Sequence, residues 1–231
     1  MQTLRKQTIL SSIFMIVGFA FGALSVLLYT KFGVLTKAQV GLTKIMIDFS
    51  QLAIAFSSMG LLSVLYKFYP YFNDNLPKKK NELFTIILGG CLIGFFIFCV
   101  VGYFIKPIVV KKYNTNSPLV LDYYIYLYVF AFGMLLFAVF ESLAFVKHRS
   151  IITNFLKETL LRFITVLLMI LLLFKLVSFD NFILFYSLQF FFLLLILFIY
   201  LRKKNDVYFH FSISRVTKKF WKKMQIGRAH V

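Results

Sequence analysis

What most limits the fold of this chain is the recurrence of apolar runs about as long as a bilayer is thick. A helix needs roughly 20 mostly apolar residues to cross the hydrocarbon layer. Six stretches reach that length: 9–30, 45–66, 83–105, 121–146, 159–178 and 181–201. Composition points the same way, with 61% hydrophobic and 15% charged residues among 231, well past a soluble domain. The expected fold class is therefore all-α: a polytopic membrane protein with one six-helix transmembrane bundle over residues 1–201. All four prolines (Pro70, Pro77, Pro107, Pro118) are expected between the runs, where a missing backbone N–H costs least. The first run follows Arg5 and Lys6 as a signal peptide's would, but it is too long for one and no small-residue cleavage site follows.

The net charge of +18 is confined to the flanks of these runs. A nucleic-acid binder would gather its cations on a soluble face, so nucleic acid is not the expected partner and membrane lipids are. An N-terminus inside the cell puts 18 lysines and arginines on inner flanks and seven on outer ones. By the positive-inside rule, the N-terminus and the chain from residue 202 onward are then cytoplasmic. Tyr123, Tyr124, Tyr126 and Tyr128 fall at the outer end of the fourth run, where interfacial aromatics belong. Residues 202–225 read as a basic cytoplasmic linker. The final "IGRAHV" (Ile226 to Val231) resembles the translation of a common sequencing adapter, so the natural chain is expected to continue past Gln225.

Ionisable groups within a span are costly and point to function. In the second run Lys44, Asp48, Gln51, Ala55 and Ser58 recur at spacings of four and three, which places them on one helical stripe. The stripe reads either as the polar wall of a water-filled cavity or as an interfacial Lys44–Asp48 pair with small packing residues. Glu141, one turn before a basic cluster, should meet Lys147, Arg149 or Arg162, as part of a gate network or as a static bridge. Glu158 and Arg162 form an i, i+4 pair. Ser11, Met15, Gly18, Gly22, Ser25 and Tyr29 in the first run, with Gly90 and Gly94 in the third, read as close helix packing.

Catalytic machinery is not visible. No Ser/His/Asp set, phosphate-cradling glycine loop or metal-ligand spacing occurs, and Cys91 and Cys99 both lie in one apolar run. Neither enzyme activity nor a cofactor or metal is expected.

"LLYTKFGVLTKAQVGLTKIMIDFSQLAIAFSSMGLLSVLYKFYPYF" (Leu27 to Phe72) resembles the N-terminal signature of polysaccharide-biosynthesis membrane proteins. These are the O-antigen-type lipid-linked oligosaccharide flippases of the multidrug/oligosaccharidyl-lipid/polysaccharide superfamily. The matching features are the loop ending "TKAQVGLT", a span closing on Gly60 and the basic-aromatic exit "YKFYPYF". "NSPLVLDYYIYLYVFAF" (Asn116 to Phe132) and "FESLAFVKHRSIITNFLKETLLR" (Phe140 to Arg162) resemble the family's approach to its fourth span and its fourth-to-fifth connection. The resemblance covers nearly all of residues 4–201.

It implies two six-helix bundles that rock about a central cavity, of which this chain is the N-terminal one, the C-terminal six-helix bundle being its missing partner. It further implies a bacterial inner-membrane location and a polyprenyl-diphosphate-linked oligosaccharide as cargo. Lys44, Asp48, Gln51, Ser58, Glu141 and Arg162 are the expected cavity residues, with Lys44 or Arg162 attracting the diphosphate. The alternatives are an ion-coupled multidrug exporter of the same superfamily, a membrane-embedded enzyme, for which the clustered residues are lacking, and a six-span subunit that transports nothing.

Overall fold

A computed structural model describes residues 2–116, 118–212 and 214–219, with side chains from residue 9 onward except at 108–109 and 112–116. The adapter-like residues 226–231 lie outside the described residues. Every regular element among the described residues is helical: α1 (Gln2–Thr30), α2 (Lys37–Ser58), α3 (Leu61–Asn75), α4 (Leu83–Asn116), α5 (Leu119–Asp122), α6 (Tyr124–Val146), α7 (Ser150–Asn154), α8 (Leu161–Leu173) and α9 (Phe179–Lys203). A 3₁₀ turn spans Lys78–Lys80, and a π-turn spans Phe155–Leu160.

Five segments among the described residues are long and apolar enough to cross a membrane: Ile9–Thr30, Lys37–Ser58, Lys78–Pro107, Tyr124–Val146 and Phe179–Lys203. The fifth expected run takes another form. α7, the π-turn and α8 join through right-handed helical residues, Phe155 at φ −58° and Leu160 at φ −68°, so one rod runs from 150 to 173. It starts earlier and stops sooner than 159–178. A π-turn interrupts it, and the rod carries Lys157, Glu158 and Arg162.

The second run is also displaced. A reciprocal cap starts α2 well before residue 45: the Thr36 N–H donates to Gln39 Oε1 at 2.8 Å, and the Gln39 N–H to Thr36 Oγ1 at 3.3 Å. Met59 (φ 42°) and Gly60 (φ 79°) then turn left-handed and end the helix before residue 66. The rest of the run becomes α3, an amphipathic helix that buries Leu65, Phe68, Tyr69 and Phe72 and exposes Tyr66, Lys67, Pro70 and Tyr71.

Two prolines expected in loops lie inside helices, Pro70 in α3 and Pro107 in α4. Both are on exposed faces.

α6 is the hub. It packs on α9, α2, α3 and α4 through Leu127, Phe130, Ala131, Leu135, Phe137 and Val139, all nearly sealed. Phe130 stacks on Tyr186 of α9 at 5.2 Å and meets Phe190 edge-on at 5.3 Å. α1 is the outlier: it lies along the α7–α8 rod and leaves Ile13, Ile16, Phe19 and Val26 exposed. Water gives no drive to bury such residues in lipid, so close backbone approach must hold the helix. Gly18 supplies it, since an added Cβ would collide with the Glu158 carbonyl oxygen. Gly94 of α4 approaches the Ser57 carbonyl of α2 in the same way. The expected small-residue packing is present at these glycines.

One end of the bundle is strongly basic. It holds α3, the Lys78–Lys80 turn, the α6–α7 junction and residues 204–212 and 214–219. After α9, in the stretch read as a basic linker, the chain folds back under the bundle as a strap. Asn205 (φ 53°) reverses the chain, and Asp206 reaches Arg149 Nε at 3.2 Å. The His210 N–H donates to Thr85 Oγ1 at 3.0 Å. Glu82 Oε1 then accepts from the Ser214 N–H at 3.0 Å and from the Thr217 hydroxyl at 2.5 Å. Composition gives no hint of this docking, because its two anchoring acids, Glu82 and Asp206, stand amid many cations.

Candidate functional site: a polar crevice beside α1

Because α1 leans on the α7–α8 rod while α2 leans on α4 and α6, a crevice remains between them. It comprises two adjoining cavities of about 330 and 290 Å³ that share Ser25, Thr165 and Tyr186 in their walls. The first is bounded by Tyr29, Thr30, Thr43 and Lys44, towards the end away from the strap. The second reaches Lys157, Arg162 and Gln189. Most of the wall is apolar, so these polar groups are isolated points within it.

The π-turn sets the charges of the deeper cavity. A π-turn carries one residue more than an α-turn and rotates the helix beyond it. Here it lets Lys157 reach Glu141 of α6, Nζ to Oε2 at 3.5 Å. Glu158, the next residue, pairs with Arg162 Nη2 at 2.7 Å on the α1 side. Thr159 donates its hydroxyl to the Phe14 carbonyl at 2.8 Å, which fastens α1 to the turn. Gly22 faces the Arg162 guanidinium, since an added Cβ would lie 3.3 Å from Nη1. Thr165 Oγ1 lies 3.0 Å from the Leu161 carbonyl and 3.3 Å from Gln189 Oε1.

The expected site residues separate. Lys44 and Arg162 line the crevice, one in each cavity. Asp48 and Gln51 are exposed on α2, outside both cavities. Lys44 and Asp48, both exposed, make no ion pair among the described residues. Ser58 departs from the stripe and is 7% exposed, buried where α2 ends. Glu141 is bridged, though by Lys157 and not by Lys147, Arg149 or Arg162. Arg149 is drawn off by Asp206, and Lys147 sits over the Tyr69 ring at 5.0 Å.

Several crevice residues are hard to find from sequence alone. Thr43, Thr165 and Gln189 are polar residues in apolar surroundings, a signal that is present but isolated. Ser25 and Tyr29 lie on the small-residue stripe, which reads as packing. Lys157 is hidden because its direction depends on the π-turn. Comparison with protein-family models, curated proteins and solved structures gives no match to the chain.

Proposed function

We propose that this chain forms one bundle of a membrane transporter that moves a polyprenyl-diphosphate-linked oligosaccharide across the bacterial inner membrane by alternating access. The α7–α8 rod serves as the fifth of six spans, and the basic end faces the cytoplasm. The reading rests on the family resemblance of residues 27–72 and 116–162. The observation that carries it furthest is the crevice, with cationic Lys44 and Arg162 set at two levels in an otherwise apolar wall. A sugar head group crosses hydrocarbon only where polar groups replace its water. Asp48 and Gln51 on the outer face of α2 require the same compensation, which a second polar bundle or a water-filled cavity would supply.

The mostly apolar wall also fits an amphipathic drug, and this favours the multidrug exporter as the second reading. Replacing Arg162 and Asp48 by Ala, separately, in the complete transporter gene tests both. Loss of surface polysaccharide at normal protein level is expected. Intact polysaccharide with a change in drug susceptibility would transfer the assignment to the exporter.

A further inference from the structure

We propose that the strap, residues 206–212 and 214–219, is a membrane-surface element that grips anionic phospholipid head groups. This needs only the membrane placement of the bundle and not the transport reading. The strap sorts charge. Glu82 and Asp206, 1% and 8% exposed, are turned inward and bound by Thr217, Ser214 and Arg149. The cations of the same end are left outward: Lys78, Lys79 and Lys80 on the turn, Lys203 and Lys204 at the end of α9, and Arg215 on the strap are all exposed. None of these six pairs with a carboxylate among the described residues. The result is a nearly single-sign surface at the level where the helices leave the bilayer.

The second observation is aromatic. Phe211 is 87% exposed, and Phe209, resting on the Phe84 ring at 5.9 Å, is 45% exposed. Bonds on either side, from the His210 N–H to Thr85 and from the Ser214 N–H to Glu82, hold Phe211 in that position. An anchored phenyl ring held in water is unfavourable. The same ring among lysines at a lipid boundary is favourable, because the ring enters the acyl margin while the cations meet phosphate. Nucleic acid would satisfy the cations but would not explain a phenyl ring beside the bilayer.

The test uses the full chain carrying Phe211→Trp and Trp221→Phe, which leaves one tryptophan. It is reconstituted in nanodiscs of phosphatidylcholine alone or mixed with phosphatidylglycerol, with and without brominated acyl chains. Blue-shifted emission, bromine quenching that is stronger with phosphatidylglycerol, and reversal by high salt are expected. Replacing Lys78, Lys79 and Lys80 by Gln, with helix content checked by circular dichroism, should reduce phosphatidylglycerol retention by about fivefold per lysine. Water-like emission in both lipids, or quenching equal in both and insensitive to salt, would overturn the proposal. So would retention of RNA without any lipid dependence.

Discussion

Lys157 Nζ stands 3.5 Å from Glu141 Oε2, tying the π-turn to α6. The two partners are unequal: the Glu141 side chain is 13% exposed and that of Lys157 47%. Lys157 can turn to water when its partner is lost, whereas Glu141 cannot. Glu141→Gln should therefore cost about 1 kcal/mol, and Lys157→Met about 3 kcal/mol because it strands a buried carboxylate. Unfolding of the purified protein in mild detergent measures both. Equal costs would show that Glu141 reaches solvent.

Gly18 and Gly22 face the same rod but should differ in tolerance. A side chain at Gly18 meets the backbone carbonyl of Glu158, which has no freedom to withdraw. Gly18→Val should destabilise by about 2–3 kcal/mol or detach α1. Gly22→Ala meets only the end of Arg162, and should cost under about 1 kcal/mol. Thermal unfolding of the two variants gives the order.

The Tyr69 hydroxyl should ionise late. Burial first, and the Asp206 charge second, push it up from 10 to about 12, with Lys78 pulling the other way. Since the folded value lies above the unfolded one, the stability linked to this group is complete below pH 10 and disappears as pH rises through about 12. Alkaline absorbance titration of the parent minus Tyr69→Phe should reveal a tyrosinate step near 12. A step near 10 would mean that the ring is open to water.

The strap should release when Glu82 is shortened. One carboxylate oxygen accepts both the Ser214 and the Thr217 bonds, so Glu82→Ala removes both anchors together. A loss of about 2–3 kcal/mol of local stability is expected. Trypsin should then cut faster at Arg215, while helix content stays constant. Cleavage at the parent rate would show that the remaining contacts, through Asp206 and His210, suffice.

The helical membrane character is readable because run length and composition determine it almost alone. The limits of the runs are less accessible. The end of α2 depends on two left-handed residues, and nothing about Met59 marks it as one of them. The start of α2 is visible in principle, as Thr36 and Gln39 have capping-box spacing, but both precede the apolar run that marks the span. Among the candidate residues, the Glu158–Arg162 pair follows from helical spacing and is present. The expected Glu141 partners, Lys147, Arg149 and Arg162, are not the one it takes, because the π-turn directs Lys157 towards it.

The π-turn also has a meaning at the level of the gene. Such a turn is a helix with one codon too many, and its relief is a deletion and not a substitution. Removing one residue between 155 and 160 would leave a regular, well-bonded helix of nearly unchanged composition. It would also rotate everything after it by roughly 100°, carrying Arg162 and Thr165 out of the crevice while the rod stayed intact. In this segment the spacing of residues matters more than their identity, and a lineage can lose the crevice in one step without losing the fold.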